Sequence, residues 1–437
     1  MTGETDPDAL APVRMERRSR RGQGGVALSD KAEPCPPGSA PAVLGTTTRR
    51  VNTAVGPGGW AWVSEVATPC AIVELPVLER NAEAMRARAG RLGVALRPHV
   101  KTHKCVETAR IQTAGLGPIT VSTALEGECF AAAGFTDILL AVPPAPAFAG
   151  RLAALARRVR HFAVVLDDRD TTAALATAAA TCDTRIGVLL EVDCGHHRTG
   201  IDPDDADAVR FAGELADEPG LEWCGILTHA GQAYGCRNAV EAKAVAAQER
   251  AVMVAFAERL GSAGVPVPEV SVGSTPTAVA ATSLVGVSEI RPGNYAYFDA
   301  FQAAIGSCTI DDCAFSVLAT VISRHGAPAR IVVDAGALAL SKDEGPRHVD
   351  AACGYGVVTD ARTRLPIAGA RIESLSQEHG VIRLSQPFGD DEWPLGARLR
   401  IVPNHSCLAA AMFDRVFVVA GPDLIDEWRP VRGWQAD

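Results

Sequence analysis

The chain has 437 residues, 47% of them apolar, enough to bury one large core and a smaller second one. Its net charge of -9 argues against a nucleic-acid or membrane-surface role, and no apolar run reaches the roughly 18 residues of a membrane span. The amino terminus carries no secretory apolar region. The 12 cysteines show no close pairing, which suits reduced thiols in a cytoplasmic protein.

Residues 1–58 are rich in Pro, Gly, Ser and charge and lack a sustained period, so they are predicted to be a disordered tail. The basic run at 14–21 reads as a solvated stretch rather than a nucleic-acid patch. From Cys70 the texture changes. A lead-in strand at 71–75 precedes Pro76, which opens a helix reaching about residue 91. Short apolar runs then alternate with Ala-rich, charged helical segments. The runs are 94–97, 119–122, 138–141, 162–166, 186–192, 224–228, 270–273 and 288–290. Eight such units predict an α/β architecture, a TIM-type (β/α)8 barrel over 66–300. A doubly wound open sheet is the alternative, but no dinucleotide fingerprint follows the first strand. After residue 301 the alternation stops. Strand-like runs at 317–323, 330–334, 371–375, 381–384, 399–402 and 416–419 predict a mostly β domain over 301–437.

The segment Arg-Pro-His-Val-Lys-Thr-His-Lys at 97–104 closes the first barrel strand, and Pro98 stops it from running on as a helix. Lys101 is thereby placed at a strand's carboxyl end, where it can be desolvated and form a Schiff base. A lone lysine after a strand is usually a surface residue; the downstream segments change that reading. Arg198 follows strand five and His229 follows strand six. Ser-Val-Gly-Ser-Thr-Pro-Thr (271–277) follows strand seven, and Arg-Pro-Gly-Asn-Tyr (291–295) follows strand eight. Loops after strands seven and eight commonly bind phosphate in barrels, through glycine backbone N–H groups and hydroxyls. A lysine facing two such loops describes a pyridoxal 5'-phosphate site. A further pair, His405 and Cys407, follows the strand at 399–402. If extended geometry continues, both side chains share a face and form half of a tetrahedral zinc site with open positions. Thiolate is soft and favours zinc over magnesium or manganese.

Residues 66–437 resemble the pyridoxal phosphate enzymes of the alanine racemase-like fold, and within them the D-serine dehydratase and D-threonine aldolase family. The resemblance rests on the segments at 97–104, 271–277 and 291–295, on Glu191-Val192-Asp193 with Arg198-Thr199-Gly200, and on Asp334-Ala335-Gly336. It extends to Ser-Gln-Glu-His-Gly at 376–380 and Pro-Asn-His-Ser-Cys at 403–407. Leu338 departs from it, standing where relatives tend to carry Lys. The resemblance implies that Lys101 is the Schiff-base lysine, that His229 stacks on the pyridine ring and that Arg198 lies near the phenolic oxygen. It implies that Gly273, Ser274, Thr275, Gly293, Asn294 and Tyr295 hold the phosphate, and that His405 and Cys407 are the metal pair facing the cofactor. Without it, a buried histidine satisfied by backbone and a core tyrosine are the blander readings of His229 and Tyr295. Dehydratases of this family resemble the His-x-Cys pattern, whereas the aldolases usually have His-x-Asp. The implied activity is a zinc-assisted dehydratase of D-3-hydroxy amino acids, with D-serine first, acting as a homodimer and releasing a 2-oxo acid and ammonia. The rivals are a D-threonine aldolase-type cleavage, a D-threo-3-hydroxyaspartate dehydratase and, outside the class, a non-catalytic pyridoxal phosphate carrier.

Overall fold

The structure is a computed structural model that describes residues 59–389 and 392–432. The tail at 1–58, with its basic run, lies outside the described residues.

Among the described residues, eight parallel strands form one sheet: Ala95–Leu96, Ile119–Val121, Asp137–Leu140, His161–Leu166, Ile186–Val192, Leu221–Thr228, Glu269–Val272 and Glu289–Ile290. Each of the last seven pairs with its predecessor in the chain except Ile119–Val121, and the first pairs with the last. The remaining junction is a bridge between His99 and Thr120, in which the Thr120 N–H donates to the Pro98 carbonyl at 2.8 Å. The strands are thus closed into the expected barrel. The strand Ile186–Val192 is buried at every position, as befits parallel strands covered on both faces.

Helices follow the strands with local signals in place. Leu75–Leu92 has Pro76 in its first turn and ends at Gly93, which adopts the left-handed conformation (φ 70°). Ala239–Ser262 is capped by Asn238, whose side-chain oxygen accepts the Val240 and Glu241 N–H groups.

The second sheet has nine strands among the described residues. Their order is Ala329–Val333, Gly380–Leu384, Pro366–Leu375, Val357–Asp360, Arg398–Val402, Phe315–Gly326, Cys70–Glu74, Val416–Ala420 and Asp423–Trp428. Phe315–Gly326 also pairs with Ala329–Val333, so six of these strands close on themselves. A register shift between Val321 and Ser323 bends that long strand, freeing its two halves for different neighbours. The strands at 357–360 and 423–428 have no counterpart in the runs read from the sequence. Cys70–Glu74, read as the barrel's lead-in, instead lies inside this second sheet, antiparallel to Phe315–Gly326 and parallel to Val416–Ala420. It carries Glu74, whose carboxylate meets the buried Arg400 guanidinium at 2.6 Å.

The second sheet delivers one segment to the barrel mouth. Past Val402, the carbonyls of Pro403 and Asn404 accept the N–H groups of Ala300 and Phe301 at 3.1 and 3.2 Å. Residues 405–407 therefore sit beside the loop after the eighth barrel strand.

Candidate active site

Lys101 lies in a single 3-10 turn, Val100–Thr102, directly after the first barrel strand. Its N–H donates to His99 Nδ1 at 3.3 Å, which shapes the turn. The side chain is exposed at the barrel mouth, yet protein surrounds it closely enough to withdraw water. That desolvation, reinforced by Arg198 and Arg291 and opposed by Cys407 and Glu126, holds its ammonium pKa below the usual lysine value. A lysine made easier to deprotonate is what nucleophilic attack on an aldehyde requires.

His229 stands at the end of the sixth strand. Its Nδ1–H faces the Gly273 carbonyl at 3.4 Å, and its ring meets His196 edge-on (centroids 5.9 Å) and Tyr234 at a tilt (6.5 Å). Burial first, then Lys101, Arg198 and Arg291, keep it well below the usual histidine range, so the imidazole is neutral. Gly231 makes room for this arrangement: a Cβ there would stand 2.3 Å from His196 Nε2. Arg198 is exposed, with no hydrogen bond to it among the described residues, close enough to Lys101 and His229 to depress both.

Gly273 requires its φ of 119°, and its N–H donates to Glu249 Oε1 at 2.8 Å. Ser274 follows as the cap of the helix Thr275–Ala280. Its hydroxyl and N–H are both engaged with Thr277 at the helix start. The Thr275 hydroxyl is buried with no partner and is free to serve a ligand. Gly293 lies against the first-strand loop, where a Cβ would come within 2.6 Å of the His99 carbonyl.

Two expected phosphate contacts turn elsewhere. The Asn294 amide donates to Asp299 Oδ2 (2.8 Å), Ser406 Oγ (3.0 Å) and Cys407 Sγ (3.6 Å), tying the eighth loop to the second domain. The Tyr295 ring is fully buried, with its hydroxyl set beside Gln112 and near Arg86. The Asn294 amide nitrogen is thus committed to the second domain, while the Tyr295 hydroxyl is buried with no hydrogen-bond partner. Lys101, the Gly273 loop and the free Thr275 hydroxyl still fit a phosphorylated pyridine aldehyde.

His405 and Cys407 are not a continued strand. His405 is extended (φ -133°, ψ 100°), but it caps the short helix Ser406–Ala411, and Cys407 lies in that helix's first turn. Asp299 organises the turn by accepting the Ser406 N–H (3.0 Å) and hydroxyl (3.2 Å). The two side chains still meet. Burial would lower His405, but hydrogen bonds to Asp343 and Cys407 push it up to about 11. Burial would raise the Cys407 thiol, but His405 and Thr102 bring it below its usual value. Cys407 Sγ lies 3.2 Å from Thr102 Oγ1, one residue from Lys101. Imidazole and thiolate are a donor set that suits zinc. Among the described residues no group of three or more His, Cys, Asp or Glu side chains is arranged to hold a metal ion.

Thr102, Tyr234, Glu249, Asp299 and Asp343 were not singled out from the sequence. Tyr234 sits between the rings of His229 and Phe301 (5.9 Å), and burial holds its hydroxyl protonated. A separate cavity of about 370 Å³ opens at the amino-terminal ends of the fourth to sixth strands, lined by His161, Arg185 and Glu222 among others. It contains none of the groups named above and lies at the end of the barrel away from them.

Comparison with known proteins agrees with this geometry. A model of the alanine racemase N-terminal domain matches residues 73–300, and a model of a putative serine dehydratase domain matches residues 314–419. The chain is 39% identical over 372 residues to a D-threo-3-hydroxyaspartate dehydratase of Delftia sp. (strain HT23), covering 84% of this chain and 98% of that one. A structure of that enzyme superposes with a TM-score of 0.81 at 38% identity, covering 85% and 99% of the two chains. The chain is also 33% identical to a D-serine dehydratase of Dictyostelium discoideum (85% and 98% covered). It is 31% identical to a D-threonine aldolase of an Arthrobacter species (84% and 92%).

Proposed function

The chain belongs to the D-serine dehydratase and D-threonine aldolase family of alanine racemase-like, pyridoxal phosphate-dependent lyases, and from that premise we propose that it is a zinc-assisted dehydratase of D-3-hydroxy amino acids. The observation that carries this reading is the 3.2 Å contact between Thr102 Oγ1 and Cys407 Sγ, which sets the lysine turn against the His-x-Cys pair. The cofactor, when bound, supplies the electron sink that makes the α-proton of an amino acid removable. Lys101 is both its anchor and, once displaced by substrate, the base at Nζ that takes that proton. The neutral His229 ring would face the pyridine, and the Arg198 guanidinium would lie near the phenolic oxygen. The Gly273 and Gly293 loops, with the Thr275 hydroxyl and the residues Asn294 and Tyr295, would hold the phosphate. His405 and Cys407 would hold a zinc ion, which supplies Lewis-acid assistance to the departing β-hydroxyl. Loss of water and hydrolysis of the resulting enamine give a 2-oxo acid and ammonia, which is pyruvate for D-serine.

The zinc reading is supported by the donor set; that one structure of a relative at 38% identity, a D-threo-3-hydroxyaspartate dehydratase, is of a cysteine-to-alanine mutant in the metal-free form makes a metal worth testing. The 39% identity to the dehydratase of D-threo-3-hydroxyaspartate makes that compound the second substrate to test beside D-serine. Among the described residues no helix is long and apolar enough to cross a membrane. The reading also takes the enzyme to be a cytoplasmic homodimer, and sedimentation would test the dimer.

The deciding experiment is product analysis by NMR after incubation with D-threonine, with and without a chelator. The reading expects 2-oxobutyrate and ammonia, lost on chelation and restored by zinc. Glycine and acetaldehyde would identify an aldolase instead, and turnover indifferent to chelation would remove the metal's role.

A further inference from the structure

We propose that Asp343 is the positioning residue of the His405–Cys407 pair, fixing the imidazole so that Nε2 is presented to zinc beside the Cys407 sulfur. This rests on the zinc reading given above. Asp343 lies in the long connection between Ala337–Leu340 and Val357–Asp360, some sixty positions before the histidine it meets. Its Oδ2 is 3.1 Å from His405 Nδ1. Its Oδ1 accepts the Gly345 N–H at 2.7 Å, and its main-chain carbonyl accepts the Asn404 amide at 3.1 Å. Asn404 also donates to the Gly354 carbonyl at 2.9 Å, so both ends of the connection are pinned to the residue preceding His405. Gly345 (φ 60°) permits this approach; a Cβ there would come within 2.6 Å of the Asn404 amide nitrogen. One carboxylate oxygen is thus held by the Gly345 N–H, which turns the other to the ring.

The consequence for His405 is geometric. The two imidazole nitrogens point in different directions from the ring, so a carboxylate on Nδ1 leaves Nε2 as the remaining donor atom. Asp343 meets the ring at Nδ1 and makes no hydrogen bond to the sulfur among the described residues. Cys407 is separately fixed by Thr102 at 3.2 Å and Asn294 at 3.6 Å. A carboxylate behind a metal-binding histidine fixes its tautomer and orientation and raises its basicity as a ligand.

The test uses the cofactor-loaded, full-length enzyme and reads zinc affinity by competition with a chromophoric chelator. Asp343→Asn is expected to weaken zinc about ten- to a hundredfold while leaving the visible absorption of the bound cofactor unchanged. His405→Ala weakens zinc more, and adding Asp343→Asn to it is expected to cost nothing further, because the carboxylate acts through that ring. Asp343→Glu, which keeps the charge, should recover part of the affinity. X-ray absorption at the zinc edge should show the same zinc-bound donor atoms in the unsubstituted enzyme and in Asp343→Asn. Unchanged zinc affinity in Asp343→Asn, additive losses in the double variant, or loss of an oxygen donor from the zinc shell would each overturn the proposal. Failure of the unsubstituted enzyme to bind zinc would instead overturn the metal reading beneath it.

Discussion

His161 and Asp137 pair at 3.2 Å near the start of two barrel strands, with Cys224 Sγ 3.8 Å from the other ring nitrogen. The hydrogen bonds to Asp137 and Cys224 push His161 up to about 10 from an ordinary 6.5. Burial would raise Asp137, but His161 and Arg97 together hold it at about 2. A folded-state pKa raised in this way contributes stability that is full below 6.5 and is lost as pH climbs towards 10. The depressed Asp137 contributes stability that is lost as pH falls from 3.8 towards 2. His161→Gln is therefore expected to lose stability less steeply than the unsubstituted protein between pH 7 and pH 10, as read from urea unfolding midpoints. Parallel decline of the two would contradict the pairing. The sequence could not have shown this partnership, because the two residues are twenty-four positions apart and meet only through neighbouring strands. Lys101 was legible for the opposite reason: Pro98 ends its strand, and position at a strand end is a local property.

Single elements divide along the same line. The alternation of apolar runs and Ala-rich segments revealed the barrel because strands such as His161–Leu166 and Ile186–Val192 are buried on both faces and read as nearly continuous apolar stretches. Asp423–Trp428 escaped because an edge strand with three acidic residues in six looks like a solvated turn. Ser406–Ala411 was misjudged because its start depends on Asp299, a residue more than a hundred positions earlier, which accepts the Ser406 N–H. The helix Ala239–Ser262 was legible, but its buried Glu249 was not, since one acid inside an amphipathic pattern has no visible partner. That carboxylate accepts the Gly273 N–H and thereby sets the loop proposed to hold the phosphate. A hydrogen bond to a charged group contributes about 1.5–3 kcal/mol, so Glu249→Ala is expected to weaken cofactor binding about ten- to a hundredfold. Glu249→Gln, which keeps an acceptor oxygen, should lose much less. Cofactor titration followed by absorbance would separate the two, and equal losses would refute the role.

On the scale of the whole molecule, the chain crosses between its two sheets twice, and this decides how it can be divided. A cut near residue 300 follows the change of texture in the sequence, but it removes Cys70–Glu74 from between Phe315–Gly326 and Val416–Ala420. Ile72 and Val73 are fully buried there, and losing each costs about 1.5–3 kcal/mol. Arg400, 1% exposed, would lose the Glu74 carboxylate, and stripping a buried charge of its partner costs about 3–5 kcal/mol. Together these losses match the roughly 5–15 kcal/mol by which a domain is stable at all. Residues 301–432 alone are therefore expected to melt without a cooperative transition. The same fragment carrying residues 59–75 on a flexible linker should regain one, because the missing strand and the Glu74 carboxylate return together. Circular dichroism melts of the two fragments provide the comparison, and a cooperative melt of 301–432 by itself would show that the second sheet needs nothing from the amino-terminal side of the barrel.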